Sequence, residues 1–258
     1  TGILVRLEMQ EGAKEMGKKE FVRRPGADHN DQAYLECEAR SEVYAAHTAI
    51  TLRLAKPWFG SKRTVVADSA FASVETLLAL RKHDLHFMGC VKTAHSGFCK
   101  AYLKQWAQKL PLPTRGSHHS CVSTYTKNGQ ERQMLAVGWL DKKLKTLITS
   151  RGTTLQGTPA KKLRHKIVAL PSGEVRTSRM VKEVPRPKVV EDFFRHFSAI
   201  DVHDHYRQGS LAIEDNWKTK SWPIRVFSTI VGMICTNAFL AYRYDQKMHF
   251  PDAEEIEF

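Results

Sequence analysis

The chain of 258 residues has few cysteines and contains no internal repeat or low-complexity tract. None of its five cysteines belongs to a Cys-x-x-Cys pair, which gives a structural zinc site little support. His118, His119 and Cys121 lie close together, but no fourth ligand is evident beside them. The odd number and wide spacing of the cysteines fit a reducing compartment rather than a disulfide framework.

A secretory signal and an uninterrupted hydrophobic run are also lacking. The sequence starts at Thr1 rather than at a methionine, so we expect a fragment or a processed gene product. The most apolar stretch, residues 224–244, carries Arg225, Asn237 and Arg243. Because a membrane span needs about 20 mostly uncharged residues, we expect a buried core helix here and no membrane partner.

Acidic residues are scarce relative to basic ones, with 27 Asp and Glu against 40 Lys and Arg, a net charge of +13. Residues 142–188 hold 13 Lys or Arg and only two acids, Glu174 and Glu183. Such a segment can neutralise several phosphates and release their counterions. We therefore expect nucleic acid as a partner, although a basic enzyme without nucleic acid is the alternative. The predicted DNA contacts are Lys161, Lys162, Arg164 and Lys166.

The first third of the sequence predicts strands and helices in alternation. Residues 2–10 alternate with a period of two, as a strand does, and residues 42–54 are typical of a helix. The β-branched residues of segment 63–68 favour a strand, and Ser73 is suited to capping the helix that follows. A second strand is predicted at residues 86–91. Strand, helix and strand in this order imply parallel pairing and an α/β fold.

The remaining sequence predicts a different organisation. Residues 97–185 read as a β-rich basic insertion with hairpins at Asn128-Gly129 and at residues 171–173. Helices are predicted at residues 189–208 and from Trp222 to Tyr244. The predicted domains are residues 1–96 as the first part of the core, 97–185 as the insertion, 186–250 as the helical second part, and 251–258 as an acidic tail.

The helix at residues 189–208 carries carboxylates on an apolar line. Its stripe of Val190, Phe193, Phe197 and similar residues continues to Asp201 and Asp204 at helical spacing. Buried carboxylates are costly unless they meet a cation. The alternatives are a kink that turns both acids to water, or ion pairs with Arg207 or Arg225.

Asp68 poses a similar question at the end of its predicted strand. Functional groups in α/β sheets collect beyond the carboxyl ends of the strands, although a capping or turn role is the alternative. Asp68 and Asp201 could converge on one site, where carboxylates suit Mg²⁺. Two such ions would stabilise the attacking and leaving oxygens of a phosphodiester displacement.

Three motifs together resemble the piggyBac-type transposases. They are the segment from Val65 to Ser73 with Asp68 inside it, Asp201-Val-His-Asp204, and Ser221-Trp222-Pro223 before a long apolar helix. Their order and spacing agree with the family over nearly the whole chain. The resemblance implies an RNase H-like core, a mixed sheet flanked by helices, interrupted by a β-rich insertion.

The resemblance also implies roles for individual residues. Asp68 would be the second catalytic aspartate and Asp201 the third, both binding Mg²⁺ or Mn²⁺, with Asp204 as an accessory acid and Trp222 near DNA. The implied reaction is nicking by water, hairpin formation by the freed 3′-hydroxyl, and joining to TTAA target DNA. The implied partners are double-stranded DNA at the transposon ends and, in the full-length protein, a second copy that forms a homodimer. The implied location is the nucleus.

Two departures from the family pattern concern the ends of the sequence. The strand with the family's first aspartate would lie upstream of Thr1, and the cysteine-rich finger would lie beyond Phe258. Glu8 and Glu11 do not replace the first aspartate, so we expect little or no catalysis from this chain alone. The alternatives are a domesticated or decayed transposase that binds DNA without cutting it, or an RNase H-like nuclease that cleaves RNA.

Overall fold

The computed structural model describes residues 4, 6–9, 12–23, 42–92, 97–110, 114–127, 130–169 and 175–251. Within these ranges, the side chains of residues 125–127, 130–132, 164–169, 175, 176, 178 and 210 lie outside the description. The chain divides into two compact units. The larger unit is Gln10–Phe194, and the smaller unit combines Thr1–Met9 with Arg195–Phe258.

A mixed five-stranded sheet forms the centre of the larger unit. Its strands are β1 (Thr64–Ala67), β2 (His86–Cys90), β3 (His118–Lys127), β4 (Gln130–Leu140) and β5 (Leu144–Thr149). The order across the sheet is β1-β2-β5-β4-β3. Only the β1–β2 pair is parallel among these neighbours. The predicted α/β class and the predicted parallel pair are therefore confirmed.

The crossover between β1 and β2 is the helix α3 (Val74–Lys82), whose sequence specifies its start. The Ser73 hydroxyl accepts a hydrogen bond from the Thr76 backbone N–H at 3.0 Å, as predicted for an N-cap. Glu75 lies in the first turn, where negative charge complements the helix dipole. Leu77 and Leu80 are fully buried in the core.

Among its described residues, the larger unit also contains the α-helices α1 (Ala13–Gly17), α2 (Ala46–Ala55) and α4 (Lys100–Lys109), and a 3-10 helical turn, Lys56–Trp58, follows α2. The predicted helix at residues 42–54 corresponds to α2, which begins four residues later than expected. Buried residues of α2, α3, β1 and β2 form one hydrophobic cluster. This cluster holds the parallel strands in place and so fixes the position of their carboxyl ends.

The predicted insertion at residues 97–185 receives no support from the sheet topology. Strands β3, β4 and β5 all come from this segment, and β5 pairs with β2 in the central sheet. Val137, Trp139 and Leu147 from these strands are fully buried. The predicted turn at Asn128-Gly129 lies outside the described residues.

A separate two-stranded sheet consists of β6 (Ala160–Ala169) and β7 (Val175–Val184). Ten residue pairs join the two strands, from Ala160 opposite Val184 to Ala169 opposite Val175. The predicted hairpin is therefore present and longer than expected, whereas its turn, residues 171–173, lies outside the described residues.

The helices of the C-terminal third are α5 (Lys188–Tyr206), α6 (Ile213–Asn216) and α7 (Trp222–His249). A π-helical turn, Arg207–Leu211, follows α5. Of the predicted acidic tail, only Pro251 is among the described residues.

The strand predicted at residues 2–10 is wrong for the residues that the structure describes there. Leu4 and residues 6–9 belong to no strand. The Leu4 N–H instead donates to Asn237 Oδ1 at 2.8 Å, and Asn237 Nδ2 donates to the Leu4 carbonyl at 2.7 Å. The side-chain amide of Asn237 in α7 thus supplies the hydrogen bonds that a neighbouring strand would have made with Leu4.

Helix α7 is less buried than its apolar sequence predicts. One stripe at four-residue spacing is buried: Ser228, Gly232, Thr236 and Leu240. Only 22% of its most apolar window is buried, so the expected core helix is wrong in extent. By length and composition alone α7 could cross a membrane, which is weak evidence because core helices pass the same test.

Candidate active site

Asp68 lies immediately after β1, at the carboxyl end of a strand that is paired in parallel. Its carbonyl accepts hydrogen bonds from the backbone N–H groups of Phe71 and Ala72, both at 3.0 Å. Its Oδ1 accepts a hydrogen bond from the Ser69 N–H at 2.5 Å. The position at the strand end is as predicted, and the carboxylate is exposed there. The hydrogen bonds also give Asp68 the turn role that the sequence left open as the alternative, so its catalytic role stays a prediction.

Cys90 is the last residue of the neighbouring strand β2, and the charged groups around Asp68 affect the pKa of its thiol. Burial raises the pKa of the Cys90 thiol, the positive charges of Lys145, Lys92 and Lys100 lower it, and the Asp68 carboxylate raises it. The Asp68 carboxylate and the three lysines therefore all lie close enough to Cys90 to affect the pKa of its thiol. A carboxylate beside several cations can hold a divalent metal while the lysines attract a phosphodiester.

The three lysines were missed in the sequence. Lys145 comes from β5, and only the antiparallel pairing of β5 with β2 brings it near Cys90 at the end of β2. No local pattern indicates this pairing. The sequence did allow Cys90 to be placed near Asp68, because two parallel strands joined by one helix end at the same sheet edge. A search for charged residues around Cys90 could therefore have found Lys92, two residues further along the chain.

The expectation that Asp201 continues a buried stripe of α5 is wrong. Val190 and Phe193 are buried as expected, but Ile200 is 61% exposed and Asp201 is also exposed. The buried line of the second half of α5 runs instead through His203 and on to Arg207. Burying a carboxylate without a cation costs free energy. Because Asp201 forms no ion pair with any described residue, its exposure to solvent avoids that cost.

Asp204 takes one of the alternatives that the sequence left open. Its Oδ1 accepts a hydrogen bond from Arg207 Nη2 at 3.2 Å, and Arg207 Nη1 pairs with Glu214 in α6. Burial alone would lower the pKa of Arg207, but hydrogen bonds from its guanidinium to Glu214 and Asp204 raise it. Glu214, which the sequence did not single out, thus joins Asp204 on one buried cation.

Asp68 belongs to the larger unit and Asp201 to the smaller unit, so their convergence on one site stays a prediction. Among the described residues, no group of three or more His, Cys, Asp or Glu could hold a metal ion. The two exposed carboxylates nevertheless fit Mg²⁺ or Mn²⁺, because Mg²⁺ usually takes only one or two protein carboxylates together with waters and substrate phosphate.

The basic residues predicted to contact DNA lie on β6. Lys161 is exposed, whereas Lys162 is half-buried. Lys162 Nζ lies 3.9 Å from Asp141 Oδ2 and 6.0 Å from the centroid of the Phe194 ring. Arg164 and Lys166 occupy alternate positions further along the strand.

Trp222, the other predicted DNA contact, is the first residue of α7 and is 70% exposed. A cavity of about 380 Å³ in the same unit is lined by Glu214, Trp217, three cations and Thr219; the cations are Lys218, Lys220 and Arg225. Exposed aromatic rings beside cations can stack on bases while the cations bind phosphates.

A family model described as Transposase IS4 matches residues 1–239. The matched range includes Asp68, Asp201, Asp204 and Trp222, both strands of the β6–β7 hairpin, and most of α7. Neither a curated protein nor a solved structure matches the chain.

Proposed function

Because the chain belongs to the transposase family that the IS4 model describes, we propose that it is the catalytic core of a piggyBac-type cut-and-paste DNA transposase with an RNase H-like fold. The observation that carries this proposal is the exposed Asp68 carboxylate at the carboxyl end of a strand that is paired in parallel. The neighbouring Cys90 thiol lies close enough to three lysines for their charge to lower its pKa. This arrangement suits a transposase, which holds metal ions and the DNA backbone at one point.

The proposed chemistry assigns a task to each charged group. Asp68 and Asp201 would hold Mg²⁺ or Mn²⁺, which supplies charge stabilisation for the attacking and leaving oxygens of a phosphodiester displacement. Lys92, Lys100 and Lys145 attract the scissile phosphodiester by their positive charge. Asp204, proposed as an accessory acid, is held by Arg207 at the end of α5.

The proposed substrate is double-stranded DNA, at transposon ends and at a TTAA target, cut and joined through water and 3′-hydroxyl attack. The net charge of +13 and the exposed Trp222 support DNA as the partner. A homodimer and a nuclear location belong to the same proposal, because both transposon ends must be joined to chromosomal DNA.

The test is metal-dependent nicking of transposon-end DNA by the protein expressed from its complete gene. Asp68→Asn and Asp201→Asn are each expected to lower the nicking rate by more than about 100-fold, since metal ions supply several kcal/mol to such reactions. The matched controls are Asp84→Asn in the larger unit and Asp245→Asn in the smaller unit, which remove exposed charges elsewhere. Nicking that survives Asp68→Asn would contradict the assignment.

The second candidate is a transposase-derived protein that binds DNA without cutting it. The exposed basic residues of β6 and β7 favour it, because DNA binding by cations needs no carboxylate. This candidate predicts that the complete wild-type protein binds transposon-end DNA in the presence of Mg²⁺ or Mn²⁺ and leaves it intact.

A further inference from the structure

The β6–β7 hairpin extends away from the core of the larger unit. Ala160 and Val184, which pair at its base, are buried. Leu163 and Val181, which pair three residues further out, are 54% and 59% exposed. Within the described residues, no third strand pairs with either strand. The hairpin is therefore a two-stranded ribbon, and the side chains described beyond its base include exposed ones on both faces, such as Met180 and Lys182 on one and Arg179 and Val181 on the other.

The base of this ribbon is fixed by hydrogen bonds. The Trp139 indole N–H donates to the Pro185 carbonyl at 2.9 Å, and Trp139 itself is buried in β4. Arg186 Nε donates to the Thr158 carbonyl at 2.7 Å. The direction in which the ribbon leaves the larger unit is thus set by contacts at both of its strands.

The register of the ribbon separates its charges. Directly opposed residues of an antiparallel pair lie on the same face, and successive residues alternate between faces. One face, here called the basic face, carries the pairs Lys162–Lys182, Arg164–Met180, Lys166–Ser178 and Val168–Arg176. The other, here called the mixed face, carries Lys161–Glu183, Leu163–Val181, His165–Arg179 and Ile167–Thr177. The basic face thus has five cations and no acid.

This distribution of charge is unfavourable for the isolated hairpin. Like charges directly opposite each other destabilise a strand pair, and Lys162 lies opposite Lys182 here, with only Asp141 among the described residues, 3.9 Å from Lys162, to offset the repulsion. A two-stranded ribbon is also only marginally stable in water without a further partner. A polyanion on the basic face relieves the repulsion and supplies that partner.

We propose that the β6–β7 ribbon binds the major groove of duplex DNA through its basic face, with the mixed face turned away from the DNA. The B-form major groove is about 12 Å wide and admits a two-stranded ribbon, whose strands are about 4.8 Å apart. The major groove of A-form RNA is too narrow and deep for side chains to read. The partner is therefore duplex DNA, and this inference rests on the proposed transposase function.

The inference revises the set of DNA contacts expected from the sequence. Lys161 lies on the mixed face opposite Glu183, so it leaves the set. Lys182 and Arg176 join Arg164 and Lys166 on the basic face. Lys162 lies near the base, where Asp141 already partly neutralises it.

The test compares two double variants that remove the same charge. Arg164→Gln with Lys182→Gln removes two cations from the basic face, and Lys161→Gln with Arg179→Gln removes two from the mixed face. Binding of a short transposon-end duplex is measured at several salt concentrations in EDTA. The basic-face variant is expected to weaken binding about tenfold or more and to reduce the salt slope by about two. The mixed-face variant is expected to change neither.

Equal effects of the two variants would overturn the inference, and so would equal binding of an RNA duplex of the same sequence. Circular dichroism and thermal unfolding check that both variants fold; if the double variant unfolds, Lys182→Gln against Lys161→Gln gives the same comparison with a slope change of about one. Because EDTA removes metal ions, this outcome does not depend on Asp68. If the protein expressed from its complete gene binds DNA by the basic face but does not nick it with Mg²⁺ or Mn²⁺, the proposed function is contradicted and the inference about the ribbon stands.

Discussion

Asp68 and Cys90 lie beside each other at the carboxyl ends of the parallel strands β1 and β2. Ala67 pairs with Gly89 in the register, so the next residue on each strand reaches the same sheet edge. The Asp68 carboxylate raises the pKa of the Cys90 thiol, although burial is the larger cause. The pKa of the Cys90 thiol therefore depends on the charge of Asp68, the proposed metal ligand.

Replacing Asp68 with Asn is expected to lower the pKa of Cys90, because the negative charge that opposes thiolate formation is removed. More thiolate at a given pH means faster alkylation, by up to about threefold for a neighbouring charge. The measurement is the rate of iodoacetamide modification of Cys90 by mass spectrometry. Lys145→Gln is the matched opposite variant and should slow the reaction. An unchanged rate in both variants would place these charges elsewhere.

Arg207 is expected to stabilise the smaller unit by holding Asp204 and Glu214 together. Arg207→Ala leaves both carboxylates without their cation and should lower the free energy of unfolding by about 1–3 kcal/mol, with solvent exposure of the acids limiting the loss. Urea denaturation followed by tryptophan fluorescence measures it. Arg225→Ala, an exposed arginine of α7, is the control and should cost less than about 0.5 kcal/mol. Equal losses would remove the stabilising role of Arg207.

Cys99, the N-cap residue of α4, has its pKa raised to about 11 by burial and by a hydrogen bond with Cys121 of β3. Its alkylation rate should therefore keep rising up to about pH 11, since only the thiolate reacts. In the variant Cys121→Ala the hydrogen bond is absent, and the rise should level off at a lower pH. A plateau near pH 9 in the wild-type protein would contradict this environment for Cys99.

Local signals in the sequence predicted local structure well. The β-branched residues before Asp68 and the capping hydroxyl of Ser73 specify β1 and the start of α3 through contacts within a few residues. The position of Asp68 at a strand end follows from these signals. The three short motifs resemble those of piggyBac-type transposases, and the match over residues 1–239 supports the coarser part of that inference, a transposase domain.

Long-range contacts account for what the sequence did not predict. The pairing of β5 with β2 joins a segment expected to be an insertion to the central sheet. The alternating pattern near Leu4 predicted a strand, but Asn237 of α7 satisfies that backbone instead. The apolar stripe of α5 predicted burial at Ile200 and Asp201, yet burial depends on which elements cover the helix.

Asp68 and Asp201 are proposed to hold metal ions at one site. Fe²⁺ in place of Mg²⁺, with ascorbate and peroxide, cleaves polypeptide backbone next to the bound metal, and fragment masses locate the cuts. Cuts are expected close to both residue 68 and residue 201, and both sets of cuts are expected to disappear in Asp68→Asn. Cuts at only one of the two positions, or cuts near residue 201 that persist in Asp68→Asn, would contradict this proposal.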